Sequence, residues 1–196
     1  MKLRISTASP DNLKRDTLIL GFFSDERPPR GYGGLVDWRL NGMISTELAR
    51  GRVSGDYLDK LLYAFPKRIQ ISRMLLFGLG ALCELTYDRL YSAGYEMART
   101  ISGIQANDLA LPVPAAGRGP LKLPGMTVAV LTGLFDGFSC KPEELSSLYL
   151  EIPAKENHTD EIRSGLDLFR QRVGPAKCEL LTLEGEVDNR SLAFRL

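Results

Sequence analysis

The stretch from Asp16 to Gly51 constrains this chain more than any other. Leu18-Ile19-Leu20-Gly21-Phe22-Phe23 is a continuous apolar run, which suits a strand covered on both faces. A turn-rich segment follows and ends in Arg30-Gly31-Tyr32-Gly33-Gly34. From Leu35 to Arg50, Val36, Leu40, Met43, Ile44 and Leu48 fall at helical spacing, and Gly51 stands where a left-handed C-cap belongs. A buried strand feeding a helix is the basic unit of an α/β domain. Gly33-Gly34 permits a sharp turn, and a helix N-terminus after such a loop can hold an anion on its free N–H groups. Glycines that only make the turn would leave the same pattern. The residues by themselves therefore specify a soluble α/β domain and assign it no chemistry.

Around this unit the expected elements are laid out in order. Leu3 to Ser6 alternates apolar and polar, as a short edge strand does. Thr17 to Phe23 is the first central strand, and Asp25 to Arg30 is a stiff loop because of Pro28-Pro29. Tyr57 to Phe65 and Ile71 to Gly78 read as strands joined through Pro66-Lys67-Arg68. The uniformly apolar Met74-Leu75-Leu76-Phe77 marks the second as central. A helix from about Glu84 to Ile104 carries Tyr87, Leu90, Tyr91, Gly94, Met97, Ala98, Ile101 and Ile104 on one stripe. Its tyrosines are expected in the core, and Gly94 is expected to bring the helix close to the sheet. Asp108 to Pro112 reads as a short strand and Pro112 to Pro120 as a surface loop. Met126 to Ser139 fits a strand by its β-branched start and a helix by Val128, Leu131, Phe135 and Phe138; its length favours the helix. Leu148 to Ile152 is a strand, and Thr159 to Val173 a helix capped by Thr159 and stopped by Gly174-Pro175. Cys178 to Leu183 reads as a last central strand and Ser191 to Leu196 as an edge strand. The whole, residues 1–196, is expected to be one domain.

Composition excludes more than it assigns. Lys plus Arg total 25 against 24 Asp plus Glu, so no overall field draws the chain to nucleic acid or membrane. No segment has signal-peptide or membrane-span character, which points to the cytoplasm. Cys83, Cys140 and Cys178 are far apart and odd in number. That argues against a disulfide framework or a zinc site and for buried free thiols. His158 is the sole histidine and sits in a polar turn, so it is expected to be a solvated surface residue.

The motifs that carry chemistry are weak. Gly31-Tyr32-Gly33-Gly34 lacks dinucleotide-fingerprint spacing, and no P-loop lysine follows. Gly78-Leu79-Gly80 lies between a strand and a helix, where a phosphate can sit. Gly31, Gly33, Gly34, Gly78 and Gly80 are therefore the candidate ligand-binding residues. The pairs Asp25-Glu26, Glu143-Glu144 and Asp160-Glu161 are read as solvated or dipole-favoured carboxylates. Phe22, Phe23, Tyr32 and Trp38 are read as core packing. No catalytic or metal-binding residue is assigned, and no cofactor is expected.

Read in order, four segments resemble the N-terminal domain of the leucyl aminopeptidase family of metallopeptidases. They are Leu18 to Phe23, Leu35-Val36-Asp37 through Leu48-Ala49-Arg50-Gly51, Met74 to Gly80, and the long helix ending Ala98-Arg99-Thr100-Ile101. Leu131-Thr132-Gly133-Leu134-Phe135-Asp136-Gly137-Phe138 adds a fifth. The resemblance implies a macro-like, three-layer α/β/α sandwich with a mixed central sheet. It also implies that the family's activity is absent, because the two-metal site and the Asn-Thr-Asp-Ala-Glu-Gly-Arg motif belong to a C-terminal domain with no counterpart here. Gly33 to Asp37 resembles the glycine loop of macro domains, which often bind ADP-ribose, while Phe22-Phe23-Ser24-Asp25 stands in place of their Asn-rich segment. The expected role is a stand-alone, non-catalytic interaction or regulatory module, in a homo-oligomer or beside a separate aminopeptidase subunit. A binder of a small anionic, nucleotide-like ligand comes second, and a residual enzyme third. Some family members bind DNA through this domain, but the near-neutral charge gives that no support.

Overall fold

The computed structural model describes residues 1–181. Seven strands form one sheet: β1 Lys2–Ser6, β2 Thr17–Phe22, β3 Lys60–Ala64, β4 Arg73–Gly78, β5 Asp108–Ala110, β6 Tyr149–Pro153 and β7 Glu179–Leu181. Their spatial order is β3-β4-β2-β5-β6-β1-β7. Every pairing is parallel except β3 with β4. Among the described residues six α-helices complete the fold: α1 Gly31–Arg39, α2 Met43–Ala49, α3 Tyr87–Gly103, α4 Leu123–Gly137, α5 Pro142–Ser147 and α6 Thr159–Val173.

Alternation along the strands sorts the apolar residues into two cores, as the pleat requires. Leu18, Leu20 and Phe22 of β2 with Met74 and Leu76 of β4 meet Val36, Leu40, Ile44 and Leu48 of α1 and α2. Ile19, Leu75 and Phe77 point the other way, towards Leu90, Met97 and Ile101 of α3, Val130 and Leu134 of α4, and Leu166 and Phe169 of α6. The expected mixed-sheet, three-layer architecture follows directly, and Met126 to Ser139 is helical within α4. No helix among the described residues is long and apolar enough to cross a membrane.

Several expectations are corrected. β1 is not an edge strand but lies between β6 and β7. Its alternation arises because the second core holds no residue of β6, β1 or β7, so Lys2, Arg4 and Ser6 face a polar side. β7 is the outermost strand on its side among the described residues; the end of the expected strand at Leu183 and the expected edge strand Ser191 to Leu196 lie outside them. The single helix expected after Gly34 is two helices, one of which begins at Gly31. Asn41 and Gly42 adopt φ of 57° and 72°, and two consecutive left-handed residues cannot continue a right-handed helix. Gly51, at φ +67°, does cap the second.

α3 starts at Tyr87, with Thr86 Oγ1 accepting from Arg89 N at 3.1 Å. Tyr87 and Tyr91 are exposed rather than core; the Tyr87 hydroxyl accepts from Lys122 N, and the Tyr91 hydroxyl donates to Asp136. Gly94 meets α4, not the sheet: a Cβ there would strike the Val130 carbonyl and lie 3.0 Å from Leu134 N. Thr159 does not cap α6 but begins it, its hydroxyl donating to Lys155 O at 3.3 Å. Only Cys178 is a buried thiol, since Cys83 and Cys140 are exposed. Trp38 is 72% exposed and not in the core.

Candidate functional site

In a parallel sheet, ligands gather at the carboxyl ends of strands where the chain reverses its winding. Here that point lies between β2 and β5. From β2 the chain winds out to β3 and β4, and from β5 it winds the other way to β6. A cavity of about 350 Å³ opens there. Its wall combines Leu20 and Gly21 at the end of β2, Arg30 to Gly33 at the start of α1, Pro112 to Arg118 after β5, and Pro153, Ala154, Lys155, Asn157 and His158 at and beyond the end of β6.

The wall is built by close approaches. Gly21 lacks a Cβ that would sit 2.7 Å from Leu79 Cδ1 and 3.1 Å from Pro114, so the segment after β5 can fold down over β2. Pro112 to Ala115 are accordingly buried, not part of an exposed surface loop. Gly117, at φ +71°, lets the His158 ring rest on the backbone, where a Cβ would come within 2.7 Å of it. His158 is thus half-buried at the cavity rather than free in solvent.

Electrostatically the cavity favours anions. Arg30, Arg118, Lys155 and His158 line it, and no described lining residue is a carboxylate. Arg118 pairs with Glu26, whose side chain is only 10% exposed, so Glu26 is not a solvated carboxylate. Asp25 is not free either, since it accepts from Leu82 N at 3.0 Å. The first N–H groups of α1 have no intrahelical partners, and Arg30 provides no side-chain cap. Tyr32 forms part of the floor. Burial pushes its phenol well above the usual range, and the neutral hydroxyl donates to Ala8 O at 3.2 Å.

Of the glycines singled out in sequence, Gly31 and Gly33 line this cavity, whereas Gly34, Gly78 and Gly80 are not among its lining residues. Gly34 packs on Pro29, whose carbonyl would lie 2.6 Å from a Cβ. Gly78 packs against the Asp56 carbonyl, and Gly80 N donates to Gly55 O at 2.9 Å. Ser24 N donates to Gly80 O at 3.0 Å, which ties the Gly78 to Gly80 segment to the residues just after β2. Sequence reasoning missed Arg30, Arg118, Lys155 and His158. The signal for Arg118 was its place between Gly117 and Gly119 in a loop that follows a strand.

Residues 19–134 match the model of the cytosol aminopeptidase family, N-terminal domain. A probable cytosol aminopeptidase of Pseudomonas syringae pv. tomato is 25% identical over 187 residues, covering 87% of this chain and 38% of that protein. One from Azotobacter vinelandii is also 25% identical, covering 95% and 41%. The chain thus spans about two fifths of the length of the curated relatives it matches. Among solved structures, a tomato leucine aminopeptidase mutant superposes with a TM-score of 0.61 at 20% identity, covering 88% of this chain and 37% of that one. The Trypanosoma brucei macrodomain in complex with ADP-ribose gives 0.67 at 13% identity, covering 88% and 69%. The Oceanobacillus iheyensis macrodomain with ADP gives 0.66 at 8% identity, covering 86% and 91%. At these identities the superpositions establish the fold.

Proposed function

The chain belongs to the cytosol aminopeptidase family through its N-terminal domain, and from that premise we propose that it is a binding module for a small anionic ligand of nucleotide type. The observation that carries this reading is the cavity at the β2–β5 reversal, lined by Arg30, Arg118, Lys155 and His158 without a lining carboxylate. A volume of about 350 Å³ is at the lower end of the range for small-molecule sites, which is roughly 300–1,000 Å³. Apolar lining from Leu20, Val113, Pro114 and Ile162 gives a ring system a surface, while the cations face a phosphate. Macrodomains of the same fold hold ADP-ribose or ADP, which makes these the first ligands to try. The reading extends to the candidate glycines Gly31 and Gly33, and a cytoplasmic location is proposed with it, in keeping with the names of the relatives. Isothermal calorimetry against ADP-ribose, ADP and adenosine tests it. Heat with the first two and none with adenosine is expected, and no heat with any of them at millimolar concentration overturns the reading.

A second reading, an interaction or regulatory module, is favoured by Leu35 and Trp38. They lie one turn apart on α1 and are 48% and 72% exposed, with Leu35 at the cavity wall. In this reading the domain self-associates or sits beside a separate aminopeptidase subunit and supplies no peptidase chemistry of its own. Sedimentation velocity of the chain, alone and mixed with a catalytic aminopeptidase, tests it. A monomer that leaves the enzyme's sedimentation unchanged counts against it.

A further inference from the structure

Arg118 is held in an unusual way for a side chain at a cavity wall. Its Nη1 donates to Glu26 Oε1, and its guanidinium lies over the Phe23 ring, 5.4 Å from the centroid. Its Nε is buried and has no hydrogen-bond partner among the described residues. Its Nη2 lies beside Gly31, 3.5 Å from where a Cβ would stand. Glu26 is itself fixed. Arg27 bonds the carbonyls of Phe23, Glu26 and Ser54 at 3.1, 2.9 and 2.6 Å, and Asp25 takes Leu82 N. One edge of the guanidinium is therefore occupied and immobilised, and the Nε–Nη2 edge is left with an unmet donor.

We propose that Glu26 and Arg118 form the specificity device of the cavity. Glu26 holds Nη1 so that Nε and Nη2 present a two-donor fork to one phosphate or carboxylate of the ligand, and its charge tempers the attraction. This rests on the anion-binding reading above and names the group that reads the anion. A planar fork with two parallel N–H donors matches two oxygens of one anionic group, which a lysine cannot do. The opposing carboxylate makes the site a poor trap for bare inorganic anions. Ligands that also fill the apolar wall are then preferred.

The test is calorimetry at low ionic strength with two probes, inorganic phosphate and ADP-ribose, on the wild type, Glu26→Gln and Arg118→Lys. Gln keeps an acceptor for Nη1 but removes the charge, so binding of both probes should tighten by about five- to tenfold. Lys keeps the charge and loses the fork, so ADP-ribose binding should weaken by roughly tenfold or more. A merely structural Glu26 predicts looser binding in Glu26→Gln, the opposite sign. Unchanged or looser binding in Glu26→Gln, or unchanged binding in Arg118→Lys, overturns the proposal while the wild type still binds. Should Glu26→Gln fail to fold by thermal unfolding, Arg118→Lys alone decides. A wild type that binds neither probe overturns the cavity reading and this inference with it.

Discussion

Gly31 combines two constraints that seldom meet in one residue. Its φ is +63°, and the Arg118 guanidinium lies in ordinary contact distance of any added Cβ. A methyl there meets backbone strain and rests in contact with the guanidinium, narrowing the cavity beside it. Gly31→Ala is expected to cost about 1 kcal/mol in a urea titration and to weaken ADP-ribose binding beyond what that loss explains. Asp59 makes a second residue-scale case. Burial pushes its carboxyl up, but N–H donation from Ser54 and Gly55 and the Ser54 hydroxyl outweigh it and hold the group below the usual range. A depressed folded value means stability that is present above the unfolded pKa near 3.9 and lost as pH falls through the folded one. Asp59→Asn should therefore be less stable than the wild type at neutral pH. Its urea midpoint should also vary less between about pH 5 and pH 2. The thiols separate as cleanly: burial pushes Cys178 up to about 11, while Cys83 and Cys140 are exposed. A chromogenic disulfide reagent should titrate two thiols quickly in the native protein and the third only after unfolding.

At the scale of elements, α3 and α4 are held together by missing side chains. Gly94 of α3 faces Val130 and Leu134 of α4, while Gly133 and Gly137 of α4 face the Tyr91 and Tyr95 backbone of α3. The helices pack backbone to backbone, and an added methyl has nowhere to go. Gly94→Ala should destabilise by about 1–3 kcal/mol in spite of its better helix propensity. Gly103 in the last turn of α3 has nothing within 4 Å of its Cβ position. Gly103→Ala should be neutral or stabilising by up to about 0.5 kcal/mol. The two variants share one helix and one chemistry, so a difference in chemical-denaturation midpoint isolates the contact. Sequence periodicity identified Gly94 as a close-approach position, but the partner depended on which helix the chain later laid across it.

For the whole molecule, the cavity draws on three connections from distant parts of the sequence. A ligand seated there bridges α1, the segment after β5 and the segment after β6. It therefore binds the folded chain and not the unfolded one. ADP-ribose at about 100 times its dissociation constant should add about 2.7 kcal/mol, which for a domain of this size raises the thermal midpoint by roughly 5–10 °C. A scan in which ADP-ribose leaves the midpoint unmoved while adenosine raises it would contradict the anionic preference. The polar faces of β6, β1 and β7 show the same dependence on global arrangement. The alternation of β1 was visible in sequence, but its cause is the absence of β6, β1 and β7 residues from the second core, not an edge position.

Local order alone determined the apolar run of β2, the glycine-bounded helices, the continuous core of β4 and the α/β class. Each is written in residues next to one another, where hydrophobic period and glycine placement act directly on the backbone. The break at Asn41-Gly42 was passed over, because the longer apolar period runs straight across it. Tertiary structure decided which strands lie inside the sheet, and which glycines face a cavity. Gly31 and Gly33 reached it, while Gly34, Gly78 and Gly80 went to packing. It also brought Arg118 and His158, separated by forty residues in sequence, to the same wall. The physical reason is that a site at a topological reversal belongs to the crossing order of the strands, and crossing order is fixed by how whole elements pack, not by any contiguous run.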